Sequence, residues 1–148
     1  MIAVDTNVLV YSHRGESPFH ARAVVALNEL RVASVPWAIP WPCIHEFMAI
    51  VTNPRIFRSP TPIGTALQAV DAWLESVSLH LLSESHGYLG KLKELAMASL
   101  VAGSRIHDAR IAALCLHHGV SELWTADRDF SAFPQLNTRN PLIPGAQG

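Results

Sequence analysis

The sequence predicts an α/β layered fold with a mostly parallel central sheet. Short β-branched-rich runs alternate with longer stretches of helical periodicity, the pattern of strands joined by helical crossovers. The first run, Ile2-Ala3-Val4, has no polar alternation, as expected of a strand covered on both faces. Hydrophobic residues make up 49% of the 148 residues and charged ones 16%, so many elements must be covered on both sides.

After that first strand, Asp5-Thr6-Asn7 offers three residues of helix-capping type ahead of Val8 to Tyr11, and strand hands over to helix. Gly15 and Pro18 mark a loop, and His20 to Val32 has helical spacing through Ala23, Leu27 and Leu30. Trp37-Ala38-Ile39 is the second strand. Pro40 and Pro42 start a helix that carries Glu46 and stops before Pro54. Arg55 to Pro62 is a basic, proline-punctuated loop. Ile63 to Val77 is amphipathic, Leu79 to Leu82 forms a third strand, and Ser85 to Leu100 another helix. Gly103-Ser104 separates it from the helix of Asp108, which Gly119 ends in the C′ position. Glu122 to Thr125 is the fourth strand. A short strand near Leu136 to Thr138 precedes an end frayed by Pro141, Pro144 and Gly145.

The length fits a single domain, 1–148, able to bury a real core. A net charge of −1 gives no global attraction to nucleic acid, so a polyanion must be held by a local basic patch. Cys43 and Cys115 are far apart in apolar stretches without zinc spacing, and read as small core residues of a reducing compartment. With no signal peptide and no uninterrupted apolar span, the expectation is a soluble cytoplasmic protein without membrane contact. No glycine-rich phosphate loop supports a nucleotide cofactor. The histidines lack a metal-binding pair, and Trp37, Trp41 and Trp73 read most simply as core and edge packing, with nucleotide stacking as the alternative that no sequence pattern supports.

Chemistry points to the acids. Five of the twelve acidic residues, Asp5, Glu46, Asp108, Asp127 and Asp129, sit in or at the edge of apolar runs. In a parallel sheet the carboxyl ends of the strands, where Asp5 and Asp127 belong, form the ligand-binding edge. Each like-charge pair at ~4 Å and an effective dielectric of ~20 costs about 4 kcal/mol, so gathered carboxylates imply a divalent cation or shared protons. Each acid also has a structural reading. Asp5 is a good helix cap, although Thr6 and Asn7 can take that role. Asp108 shares a helix face with Ile111, Ala112 and Cys115, away from Arg110, Ala113 and His117, and faces the interior unless Arg105 pairs with it. Glu46 projects away from the stripe of Ile44, Phe47, Met48 and Val51 and by periodicity is solvated. Asp127 and Asp129 bracket Arg128 in what is otherwise an Asp-rich turn, Asp127 being nearer the strand end and within reach of the Thr125 hydroxyl.

Taken together, Asp5-Thr6-Asn7, Glu46 on a following helix, Asp108-Ala109 opening Ile111-Ala112-Ala113, and Thr125-Ala126-Asp127-Arg128-Asp129-Phe130 resemble the PIN-domain ribonucleases, in particular the VapC toxins of bacterial toxin–antitoxin pairs. Thr52-Asn53-Pro54-Arg55 and Asn140-Pro141-Leu142 are similar to a mycobacterial-type VapC subgroup. No acidic position of the pattern is missing. The resemblance implies a three-layer α/β/α sandwich and endonucleolytic cleavage of RNA, tRNA or rRNA, dependent on Mg²⁺ or Mn²⁺. It implies Asp5 and Asp108 as main metal ligands, Glu46 and Asp127 completing the catalytic acids, Asp129 as a further ligand, and Thr6, Asn7 and Thr125 as supporting hydrogen-bond residues. It also implies homodimers and a VapB antitoxin whose C-terminal arm enters the active-site groove.

All-oxygen ligation suits Mg²⁺ or Mn²⁺ rather than zinc, and such an ion activates water for in-line attack on phosphate. Arg14, Arg55, Arg58, Arg105 and Arg128 are the candidates for RNA contact, each otherwise a solvated surface arginine. Two rivals stand beside this reading. One is a phosphatase or phosphoacceptor domain with Asp5 as nucleophile, against which Asn7 stands where a second aspartate belongs. The other is a non-catalytic module of the same fold that binds RNA or protein.

Overall fold

A computed structural model describes residues 1–145. Five strands, β1 (Ile2–Val4), β2 (Trp37–Pro40), β3 (Leu79–Leu82), β4 (Glu122–Trp124) and β5 (Thr138–Arg139), form one sheet in the order β3-β2-β1-β4-β5. Every neighbouring pair is parallel, with Ile2 beside Trp37 and Glu122, and Val4 beside Trp124. The central strand β2 is buried throughout and β1 and β4 are buried except at their first residues, while the edge strands are partly exposed. That gradient is why the central strands read as unbroken apolar runs.

Among the described residues six α-helices connect the strands: α1 (Thr6–His13), α2 (His20–Val32), α3 (Trp41–Val51), α4 (Ile63–Leu74), α5 (Tyr88–Ser99) and α6 (Ile106–His117). Right-handed crossovers from β1 to β2 to β3 put α1 to α4 on one face, and the return from β3 to β4 puts α5 and α6 on the other. The packing agrees, since α1 contacts α2 and α3, α3 contacts α4, and α5 packs on α6. The chain progresses one way from β1 and the opposite way through β4 and β5, so the carboxyl ends of β1 and β4 form a topological switch point.

Several boundaries depart from the sequence reading. The fourth helix ends at Leu74 rather than Val77, which is fully exposed. The fifth begins at Tyr88 because Gly87, at φ 92°, turns the chain in the left-handed region, and it ends at Ser99 before Leu100 at φ 54°. Pro40 closes β2 instead of opening α3, and β5, at Thr138–Arg139, begins two residues later than expected. Gly119, at φ 74°, follows the end of α6 as the C′ pattern requires. Pro141 to Gly145 lie in turns, and the remainder of the expected frayed end lies outside the described residues. Among the described residues no helix is long and apolar enough to cross a membrane.

Candidate active site

Asp5 ends β1 and caps α1. Its backbone N–H donates to the Trp124 carbonyl at 3.0 Å, which fixes it against the end of β4. The side chain is the helix cap after all, accepting from the Thr6 N–H at 2.8 Å, so Thr6 and Asn7 do not free it from that role. They serve the site instead. The Thr6 hydroxyl donates to Glu46 Oε2 at 3.1 Å, and Asn7 Nδ2 donates to Asp5 Oδ2 and Thr125 Oγ1, both at 3.2 Å. Asn7 Oδ1 accepts from the Ala126 N–H, stitching α1 to the segment after β4.

Thr125 is the hub. Its hydroxyl donates its single proton to Asp5 Oδ2 at 2.7 Å and accepts from the Asp127 N–H at 2.9 Å and from Asn7. Thr125→Val removes those partners from a 4% exposed position. The expected cost is about 1–3 kcal/mol of stability, measured by denaturant unfolding. An unchanged midpoint would show that the hydroxyl bridges nothing.

Four donors converge on the Asp5 carboxylate: the Thr6 N–H and the Cys43 thiol (3.5 Å) on Oδ1, and Asn7 and Thr125 on Oδ2. Burial nevertheless pushes its pKa up to about 6, with the donors pulling down and Glu46 adding repulsion. Cys43 is thus more than core filling. It looks apolar in sequence, and only the third dimension brings its thiol under Asp5. The Cys43 thiol is itself held well above the usual range by burial and by Asp5.

Asp108, Asp127 and Asp129 each present an oxygen within 4.8 Å of the others. Asp108 is half-buried in the first turn of α6, and burial followed by Asp127 raises its pKa. Asp127 Oδ1 caps the following 3₁₀ turn (Arg128–Ala132) by accepting from the Asp129 N–H at 2.8 Å. The turn reading of these two residues and their clustering are therefore one structure. Asp5 and Glu46 stand outside this trio, so the five acids meet at one edge as two sets, tied through Thr125 between Asp5 and Asp127.

Glu46 is exposed, as its periodicity predicts, yet it faces a cleft of about 520 Å³ across from Asp108. Pro42, His45, Glu46 and Ala49 of α3 form one wall, and Ser104, His107, Asp108, Arg110 and Ile111 the other. Asp108 lines this cleft rather than the interior, and Ala113, expected on its outer face, is fully buried because α6 is covered by both the sheet and α5.

The five arginines differ sharply. Arg14 donates to Thr61 and Glu16 and stacks 4.1 Å over Phe57, with its side chain 13% exposed, so it is spent inside the molecule. It also lies at the far end of α1 from Asp5, about 13.5 Å along the axis. Arg55 and Arg58 are exposed in the loop after α3, beyond the end of the helix remote from β2. Arg105 turns inward to the acids, with Nε 3.5 Å from Asp108 Oδ2 and Nη2 donating to the Asp129 carbonyl at 2.9 Å. Arg128 is exposed between Asp127 and Asp129.

Carboxylates gathered at the switch point of a parallel sheet, with no histidine or cysteine in the trio, form an all-oxygen donor set of the kind that suits a hard divalent cation. The chain belongs to the PIN domain family, which it matches over residues 2–136. Within it, the chain is similar to Ribonuclease VapC43 of Mycobacterium tuberculosis, at 36% identity over 96% of both chains. It is also similar to Ribonuclease VapC25 of the same organism, at 31% identity over 97% of this chain and 100% of that one. Two solved structures share the fold. VapC20 of Mycobacterium tuberculosis, a sarcin-ricin loop cleaving toxin, aligns with TM-score 0.66 and 17% identity over 89% of this chain and 94% of that chain. VapBC2 from Rickettsia felis, bound to a DNA fragment from their promoter, aligns with TM-score 0.67 and 21% identity over 95% of this chain and 98% of that chain.

Proposed function

We propose that this protein is the toxin of a toxin–antitoxin pair, a metal-dependent endoribonuclease of the VapC type that hydrolyses RNA phosphodiester bonds at this acidic edge. The observation that carries the reading is the oxygen trio of Asp108, Asp127 and Asp129, supported by the full-length similarity to VapC ribonucleases. The whole chain acts as one PIN unit. Structured RNA such as tRNA or rRNA is the substrate class, a VapB-type antitoxin the protein partner, and the cytoplasm the place of action, with homodimers as the working form.

The trio fits Mg²⁺ or Mn²⁺: its oxygens lie close enough to share one ion, and all are carboxylates. When bound, the cation supplies charge neutralisation at phosphate and lowers the pKa of water. The chain's own residues do the rest. Thr125 and Asn7 lock Asp5, and through its N–H Asp127, in place. Asp5 adds a fixed negative charge behind the trio. Glu46, with Oε2 held by Thr6, faces the cleft where it can accept a hydrogen bond from the attacking water. Arg128 meets the phosphate from the exposed rim. Asp5 does not suit the nucleophile's role of a phosphoacceptor domain, because both its oxygens are taken by donors and it is 4% exposed.

Arg105 is a built-in counter-ion that any cation must displace or accommodate. Arg105→Ala is therefore expected to tighten Mn²⁺ binding about two- to fivefold, the scale of a partly exposed ion pair. Titration calorimetry reads this directly, and weaker binding would refute the competition. The activity itself is tested by incubating purified protein with total RNA with and without Mg²⁺ and mapping the ends. A discrete, Mg²⁺-dependent cut is expected, and intact RNA in both arms would reject the proposal.

A further inference from the structure

Beside the acidic cleft stands an aromatic pair that the proposed reaction does not use. Trp41, in the first turn of α3, is 37% exposed, whereas Trp37, Trp73 and Trp124 are 0%, 6% and 3% exposed. Its ring stacks on that of His45 one turn later, with centroids 5.8 Å apart and planes at 28°. The indole N–H of Trp41 makes no hydrogen bond among the described residues. Those of Trp37 and Trp124 are held by Ser76 and Glu122. The pair is therefore not needed to fill the core or satisfy a buried polar group.

Its placement is informative. Trp41, His45 and Ala49 follow one another at four-residue spacing and so form a single row along α3. His45 and Ala49 of that row line the cleft, and Glu46 beside them faces Asp108 across it. Trp41 heads that row at the start of α3, next to the cleft-lining Pro42 and about 7.5 Å along the helix axis from Glu46. An exposed aromatic face at the head of the helix that forms one wall of the cleft suits a nucleobase of a strand running into it.

Resting on the ribonuclease reading, we infer that Trp41, backed by His45, is a stacking platform for one unpaired base of the RNA next to the cleaved phosphate. Only an unpaired base can be received, since a base inside a duplex already has its faces covered. The platform therefore biases the enzyme toward loops and single strands. Stacking on an aromatic ring tolerates any base, so it fixes strand position and leaves sequence choice to other contacts.

The test uses full-length protein carrying Asp5→Asn, in Mg²⁺, titrated with a single-stranded octaribonucleotide and with the same sequence in a blunt duplex. All four tryptophans emit, but quenching by a stacked base reports on Trp41 because the other three are buried out of reach of the RNA. Binding of the single strand is expected to quench it and the duplex to quench it much less. Adding Trp41→Leu should weaken single-strand binding at least about fivefold, with Trp41→Phe retaining more. In the otherwise wild-type enzyme, Trp41→Leu should raise KM and leave kcat near its starting value. Equal affinity of the Leu variant, or equal quenching by duplex, overturns the platform. So does a change in oligomeric state in place of the binding defect, which would make Trp41 a protein contact. If wild-type protein with Mg²⁺ neither binds nor cuts either RNA, the ribonuclease reading fails together with the platform. Cleavage with an unaffected Leu variant removes the platform alone.

Discussion

Asp5→Asn is expected to lower RNA cleavage by about 100-fold or more while flattening the pH dependence of stability in the metal-free protein. The first effect follows from removing a fixed charge tied through Thr125 to Asp127. The second follows from linkage. Burial raises the folded-state pKa of Asp5 from 3.8 to about 6. The proton is thus held more tightly when folded, and the associated stability is fully present below pH ~3.8 and lost as pH rises through about 6. A shift of this size corresponds to about 3 kcal/mol. The asparagine variant cannot lose it. An amide nitrogen placed against the donors of Asn7 and Thr125 adds an offset that does not vary with pH, so the slope is the reporter. The pKa of His13 is lowered mainly by burial and pulls the opposite way near pH 6, but it is common to both proteins and cancels in their difference. Chemical denaturation of both in EDTA at pH 5 and pH 8 is the check. Parallel slopes would show that Asp5 carries no raised pKa.

Asp108→Asn should weaken divalent-cation binding by about two to three orders of magnitude. At ~4 Å and an effective dielectric of ~20 a unit charge is worth about 4 kcal/mol against a monovalent partner, and each 1.4 kcal/mol is about tenfold. The variant keeps the shape of the side chain, and Asp108 is already half-exposed, so the metal-free fold should survive. Wild-type protein at a Mn²⁺ concentration about 100 times its Kd gains about 2.7 kcal/mol. The variant should gain almost nothing at that concentration. Thermal melts with and without Mn²⁺ separate the cases, and an equal gain in both proteins would remove Asp108 from the cation site.

The sheet was legible because parallel strands buried on both faces leave unbroken apolar runs, as at Ile2 to Val4 and Trp37 to Ile39. The acids at strand ends were legible for the same reason, since Asp5 and Asp127 follow directly from where those runs stop. Orientation on helices was harder. Helical periodicity sees one buried face, whereas α6 is covered by both sheet and α5, so periodicity places Ala113 outward and the structure buries it. Glu46 was read correctly as solvent-facing. That the solvent there is a cleft opposite Asp108 is set by how α3 and α6 meet, which no local pattern records. Cys43 and Arg14 failed in opposite directions. An apolar-looking residue supplies a donor to Asp5, and a loop arginine that looked free is anchored by Thr61, Glu16 and Phe57. Arg105 three residues before Asp108 is the pairing that helical spacing does reveal.

The most direct test of a shared cation site is a crystal of the full chain soaked in Mn²⁺, with anomalous scattering recorded near the manganese edge. The structure predicts a peak bounded by Asp108, Asp127 and Asp129, with carboxylate oxygens at about 2.0–2.6 Å from it. A well-diffracting crystal with no anomalous density among those three residues would contradict the account.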